Sequence, residues 1–247
     1  MAADNTGPCM NSSDNVDPAE IQKFEDIARR WWDVNSEFKP LHQINPLRMR
    51  YISERATLKG KQTLDIGCGG GLLTEAFARA GAHSTGIDMG TLPLQVAKLH
   101  RQESELEIDY FQSTAEDFAI EHPGRFDVIT CLEMLEHVPD PESIVRACKQ
   151  LLKPGGDLFI STINRNPKSY LFAIVGAEYL LSLLPRGTHD FEKFIRPSEL
   201  AKSLRETDFE LKDVTGMTYN VLTQTYSLNN DTDVNYLMHA RNEPTAG

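Results

Sequence analysis

Residues 64–71 read LDIGCGGG, and the glycines at 67, 69 and 71 mark a place where backbone comes close to a partner. A β-carbon at Gly67 or Gly69 would collide with a bound ligand, so the loop reads as a cradle. Its spacing is not that of a dinucleotide loop, which needs glycine at 72, where this chain has Leu72. Asp65 stands two residues before the first glycine, awkward beside a pyrophosphate but welcome beside a cationic ligand. Asp88, in GIDMG, follows Gly67 by 21 residues and ends the next β-rich run. A carboxylate there can accept hydrogens from both ribose hydroxyls. The ligand implied carries a ribose and a positive centre but no phosphate. S-adenosylmethionine, with its sulfonium and amino acid group, meets that description, and NAD does not.

A second group of reactive side chains lies in CLEMLEHVPDP, residues 131–141. Glu133, Glu136 and His137 fall at i, i+3 and i+4, and in a helical turn they converge on one face. Two carboxylates and an imidazole can hold Mg²⁺ or another hard divalent ion. His137 can instead act as a metal-free general base, with Glu133 assisting, or the group can simply order its loop through hydrogen bonds. A phenolic acceptor has a pKa of about 10, so a base or metal that favours the phenolate would aid methyl transfer. Leu132 is placed to wall the adenine or the sulfonium. Glu116 and Asp117, in AEDF, are placed either to meet the adenine amine or to form a solvated acidic turn.

These residues need a scaffold that brings strand ends together. Short β-rich runs (QTLDIG, HSTGID, EIDYFQS, RFDVITCL, GDLFIST) alternate with helices from residue 60 onward. The helices are expected over 72–80, 93–104 and 140–152. Such alternation predicts βαβ units and a doubly wound α/β domain with a mostly parallel sheet. FELKDVTG, YNVLTQTYS and DVNYLMHAR predict an antiparallel edge. Upstream, Asp17 caps a first helix, with Pro18 in its first turn and Glu20 as the capping-box acid. FKPLHQINPLRMRYISERA reads as a loop broken by Pro40 and Pro46 that leads into a second helix. The organisation expected is a flexible tail over 1–15 and one domain over 16–247, whose residues 16–59 form a helical N-terminal extension.

With 247 residues and 40% hydrophobic content the chain can bury a full core, and a net charge of −11 argues against nucleic-acid binding. Cys9, Cys68, Cys131 and Cys148 show no zinc spacing and read as thiols in a reducing compartment. The first fifteen residues lack an apolar signal region and arginine, so neither a secretory signal nor a mitochondrial presequence is expected.

DIGCGGG with the strand-end Asp88 resembles the two cofactor motifs of class I methyltransferases. Nearly the whole chain is similar to one family, the ubiquinone-biosynthesis O-methyltransferases. The block KFEDIARRWWDVNSEFKPLHQINPLRMRYI at 23–52, then PLQVAK, CLEMLEHVPDP, LKPGG, VGAEY, GTHD and DVNY stand in the family's order. Asn35-Ser36 departs from the family's usual small or glycine-containing pair. The resemblance implies O-methylation of a polyprenylated catechol and of demethylubiquinol. It implies that Arg48 pairs with the methionyl carboxylate, that Gly67, Asp88 and Leu132 complete the cofactor site, and that Glu133, Glu136 and His137 match a divalent-metal cluster. It also implies a bacterial cytoplasmic enzyme peripheral to the inner membrane, near other enzymes of the pathway. The rivals are a quinone C-methyltransferase, a non-catalytic quinone- or lipid-binding subunit and a dinucleotide oxidoreductase. The first is disfavoured by WWDVNSEFKPLH, the second by the intact glycines and acids, the third by Leu72 and Asp65.

One segment fits none of this chemistry. Tyr170 to Leu184 are apolar except for Glu178 and Ser182. As a helix they would span roughly 22 Å at 1.5 Å per residue, short of the ~30 Å hydrocarbon core. Arg165, Lys168, Arg186, Lys193 and Arg196 flank the run. Residues 166–196 are therefore expected to form an insertion that packs over the active site or docks on lipid, with Pro167, Pro185 and Gly187 letting it move.

Overall fold

The computed structural model describes residues 15–169 and 191–243. Tyr170 to Leu184, Arg186 and the motifs VGAEY and GTHD lie outside them.

Eight strands form one sheet: β1 (Gln62–Ile66), β2 (His83–Asp88), β3 (Ile108–Gln112), β4 (Phe126–Leu132), β5 (Leu152–Ile163), β6 (Glu210–Asn220), β7 (Thr225–Asn229) and β8 (Asn235–Arg241). Their order is β3-β2-β1-β4-β5-β8-β6-β7. The first five run parallel, and β8 joins β5 antiparallel from Asp157↔Arg241 to Ile163↔Asn235. The expected doubly wound sheet with an antiparallel edge is what forms. The chain reverses its winding between β1 and β4, so their carboxyl ends frame the switch-point crevice.

Helices clothe both faces. They are α1 (Pro18–Ile27), α2 (Lys39–Ser53), α3 (Leu72–Arg79), α4 (Thr91–Glu103), α5 (Ala115–Glu121), α6 (Pro141–Leu151), the short α7 (Pro167–Ser169) and α8 (Pro197–Glu206). Alternation along β5 shows the two faces. Leu158 and Ile160 join the core under α5, α6 and α8, whereas Phe159 joins Tyr51, Ile52, Leu73 and Phe77 beneath α2 and α3.

Two expectations need correction. Residues 39–53 are helix, not loop, because Pro40 falls in the first turn, where its missing N–H costs nothing. Pro46 forfeits one internal bond, which burial of Ile44, Arg48, Tyr51 and Ile52 offsets. YNVLTQTYS is no single strand: β6 ends at Asn220, a turn spans 221–224, and β7 follows. The LKPGG stretch lies within β5, where Gly155 takes φ 77° and the pairing with β4 slips between Phe126 and Val128.

Candidate active site

The glycine loop after β1, the end of β2 and the segment after β4 surround a cavity of about 1050 Å³. α1 and α2 close it from one side and the β6–β7 hairpin from another. Gly67, Gly69 and Gly71 take φ of 72°, 51° and 87°, the left-handed region that only glycine enters freely. A β-carbon on Gly69 would strike the Trp31 ring, and one on Gly67 would lie 2.7 Å from Met134 Cγ. The glycines thus admit the chain's own Trp31 and Met134 as well as opening the cradle. Trp31 is stacked on Phe38 at 4.1 Å, and Trp32 donates from Nε1 to the Gly70 carbonyl at 2.9 Å while stacking on His100.

Asp88 accepts from Gly69 N at 2.8 Å and from Gly90 N at 2.7 Å, which fixes the carboxylate against the loop. Burial raises its pKa, opposed by those backbone N–H groups. Asp65 is buried and accepts from Thr74 Oγ1 and Thr130 Oγ1, both at 2.8 Å. Burial pushes its carboxyl up to about 6 against the two hydroxyls and Arg48. Leu132 is buried in the cavity wall.

Arg48 enters from α2 and is 6% exposed. Its Nη2 lies 3.5 Å from Glu133 Oε1, yet Nε and Nη2 have no hydrogen-bond partner among the described residues. A buried guanidinium with open donors is costly unless an anion meets it. The cavity therefore offers an acidic cradle at Asp88, a buried acid at Asp65 and open cationic donors at Arg48. That donor set fits a ribose and an amino acid group carried on one ligand.

The acidic cluster is not arranged as expected. Glu133 takes φ 54°, so the chain leaves β4 without a helical turn, and only Leu135–His137 form a short 3-10 turn. The i, i+3, i+4 rule does not apply there. Glu133 accepts from Ser161 Oγ at 2.5 Å and from Asn235 Nδ2 at 2.9 Å. Glu136 is buried, accepts from Thr162 Oγ1 at 2.7 Å, and its Oε1 at the cavity has no hydrogen-bond partner among the described residues. Burial, then Glu133, raises its pKa. His137 Nδ1 lies 3.0 Å from Glu20 Oε2. Each member is committed to a different partner, and among the described residues no group of three or more acidic, His or Cys side chains is arranged to hold a metal ion. As arranged, the cluster does not fit Mg²⁺.

Glu20 is the residue that sequence reasoning misplaced. Asp17 caps α1 by itself, accepting from Ala19 N at 3.0 Å, whereas Glu20 reaches across the cavity to His137, with Lys23 and Lys193 each at 3.1 Å. Burial pushes the Glu20 carboxyl up, but bonds from His137, Lys23 and Lys193 outweigh it and hold it at about 2. No local pattern signals a partner 117 residues away. Glu116 lines the cavity and accepts from Asn15 Nδ2 at 2.7 Å, whereas Asp117 is exposed and only its backbone N–H is used, donating to Thr114 at 3.1 Å. Flanking the apolar run, Arg165 pairs with Glu199, Lys168 with Asp231 and Asp233 at 2.9 and 3.0 Å, and Lys193 with Asp17 at 3.0 Å. Three of the five basic residues that flank the run are thus ion-paired.

Residues 41–214 match the methyltransferase-domain family. Among solved structures, a possible histamine N-methyltransferase of Thermotoga maritima superposes with TM-score 0.66 at 16% identity, covering 91% of this chain and all of that one. Magnesium protoporphyrin IX methyltransferase of Synechocystis PCC 6803, solved with bound SAM, gives 0.61 at 18% identity over 96% of this chain and 99% of that one. Fold and family together define a class I S-adenosylmethionine-dependent methyltransferase. A ubiquinone biosynthesis O-methyltransferase of Pseudomonas aeruginosa is 66% identical over 229 residues, 93% of this chain and 99% of that protein. One of Marinobacter nauticus is 64% identical over 232 residues, 93% of this chain and 98% of that protein. The chain belongs to the ubiquinone biosynthesis O-methyltransferases.

Proposed function

We propose that this enzyme methylates a phenolic hydroxyl on polyprenylated catechol and demethylubiquinol rings. The observation that carries the site assignment is the buried guanidinium of Arg48, whose Nε and Nη2 find no hydrogen-bond partner among the described residues, beside the Asp65–Gly67–Asp88 cradle. S-adenosylmethionine, when bound, supplies an electrophilic methyl group on a sulfonium. Arg48 would hold its carboxylate, Asp88 the ribose, Gly67 and Gly69 the close backbone approach, and Leu132 an apolar wall. With its Nδ1–H donated to Glu20, His137 is left with Nε2 as acceptor for the phenolic proton. Glu20 stabilises the imidazolium that results. Glu133, tied to Ser161 and Asn235, holds the end of β4 and sets the position of Arg48. No step is routed through a metal.

His137→Ala is expected to lower kcat on the order of a hundredfold or more while cofactor affinity stays within about twofold. Isothermal titration with cofactor beside single-turnover kinetics checks both halves.

We further propose that the run 170–184 brings the enzyme to the membrane surface. Among the described residues no helix is long and apolar enough to cross a membrane. Support comes from the apolar sequence and from the acceptor, whose tail resists leaving lipid by ~0.8 kcal/mol per CH₂.

The deciding experiment is transfer of labelled methyl from S-adenosylmethionine to a short-tailed polyprenyl catechol, with and without chelator. Transfer that survives chelator supports the His137 mechanism. Transfer that chelator abolishes and Mg²⁺ restores replaces it with a metal site formed by rearranging Glu133, Glu136 and His137. Cofactor binding with no transfer rejects the acceptor assignment.

A further inference from the structure

The turn between β6 and β7 carries two aliphatic residues in succession, Val221 and Leu222, where glycine, asparagine and aspartate are the usual choices. Leu222 is 95% exposed, the highest among the exposed large hydrophobics of the described residues, and Val221 is 47% exposed. The turn is well ordered: Asn220 Oδ1 accepts from Leu222 N at 2.9 Å and from Thr223 N at 3.2 Å. An isolated exposed aliphatic is ordinary, as at Leu99 in α4 and Ile120 in α5, neither of which lines the cavity. Val221 differs because it also lines the cavity. From Met217 the apolar wall continues through the Tyr219–Tyr226 ring pair, with centroids 4.7 Å apart, to Val221 and then to the exposed tip.

Resting on the acceptor reading above, we propose that the β6–β7 tip is the tail-binding part of the acceptor site. Val221 and Leu222 contact the isoprene units nearest the ring as the prenyl chain leaves the cavity. Val221 belongs to the cavity wall and Leu222 follows it at the exposed tip, so an occupant that meets both enters the cavity and leaves it. A chain attached to the reacting ring does both, whereas a flat lipid surface reaches only the tip.

The test is Leu222→Ser, at the exposed tip outside the cavity lining, in detergent, with a catechol bearing a farnesyl tail and the same catechol without one. The variant should raise KM for the farnesyl acceptor on the order of tenfold, through lost CH₂ contacts, and leave kcat/KM for the tail-less catechol unchanged. Equal effects on both acceptors, or on neither, would overturn the proposal. If the wild-type enzyme methylates neither catechol, the acceptor reading falls, and equilibrium binding of the farnesyl catechol decides the tail site by itself. Weaker binding by the variant then supports the site, and an unchanged Kd rejects it. Loss of sedimentation with phosphatidylglycerol vesicles, without a tail-specific change in KM, would assign the tip to lipid instead.

Discussion

Arg48 sits buried with Nε and Nη2 lacking a hydrogen-bond partner among the described residues, and its charge is offset by the ion pair with Glu133 at 3.5 Å and by Asp65 and Glu136 nearby. Arg48→Ala should weaken cofactor binding on the order of a hundredfold, the scale of truncating one side of a desolvated charged contact, and calorimetric titration reads it. Asp65 gives a prediction in pH. Its folded pKa of about 6 lies above the ordinary 3.8, so the native protein holds the proton more tightly across that window. Its contribution is therefore most favourable below 3.8, declines as pH rises to about 6, and stays at its least favourable above that. Asp65→Asn should stabilise the cofactor-free protein at neutral pH by about 3 kcal/mol and flatten this slope, as thermal unfolding across pH would show. Asp65, Asp88 and the glycines were legible because a strand end and a loop fix their places within a few residues. Glu20 was not legible, because a capping-box pattern gave it a local role while its partner lies 117 residues on. The left-handed backbone at Glu133 was hidden too, since a glutamate there carries no sign of φ 54°.

The N-terminal elements are part of the site, not an appendage. Asn15 bonds Glu116 and the Asp140 backbone, Glu25 accepts from Thr91 N at 2.7 Å, and Trp31 covers Gly69 and Gly70. Trp31→Ala should cost about 3–5 kcal/mol, since it empties a packed aromatic site, and should loosen cofactor binding as well. Chemical denaturation with and without S-adenosylmethionine separates the two effects. The parallel strands and α3, α4 and α6 were legible from alternation, because buried parallel strands and amphipathic helices have different periods, whereas the short α5 was not expected. α2 was obscured by its two prolines, whose effect depends on their place in the helix rather than on their presence. The β6–β7 turn was hidden because its aliphatic residues continue the strand pattern on both sides.

At the scale of the whole molecule, a net charge of −11 bears on the membrane association proposed above. Arg165, Lys168 and Lys193 are engaged by carboxylates, so these cations have little left to offer anionic lipid. Vesicle association is expected to depend weakly on salt and to be lost in the variant combining Leu171→Asp with Leu183→Asp. Co-sedimentation across ionic strength measures both, and a steep salt dependence would restore a role for the basic flanks. The sequence contains two tryptophans, and both lie on the glycine loop, one over Gly69 and Gly70 and the other bonded to the Gly70 carbonyl. The protein's tryptophan emission therefore originates wholly at the cofactor cradle. With excitation at the red edge of the tryptophan band, where the seven tyrosines do not absorb, loading and release should be visible without a label.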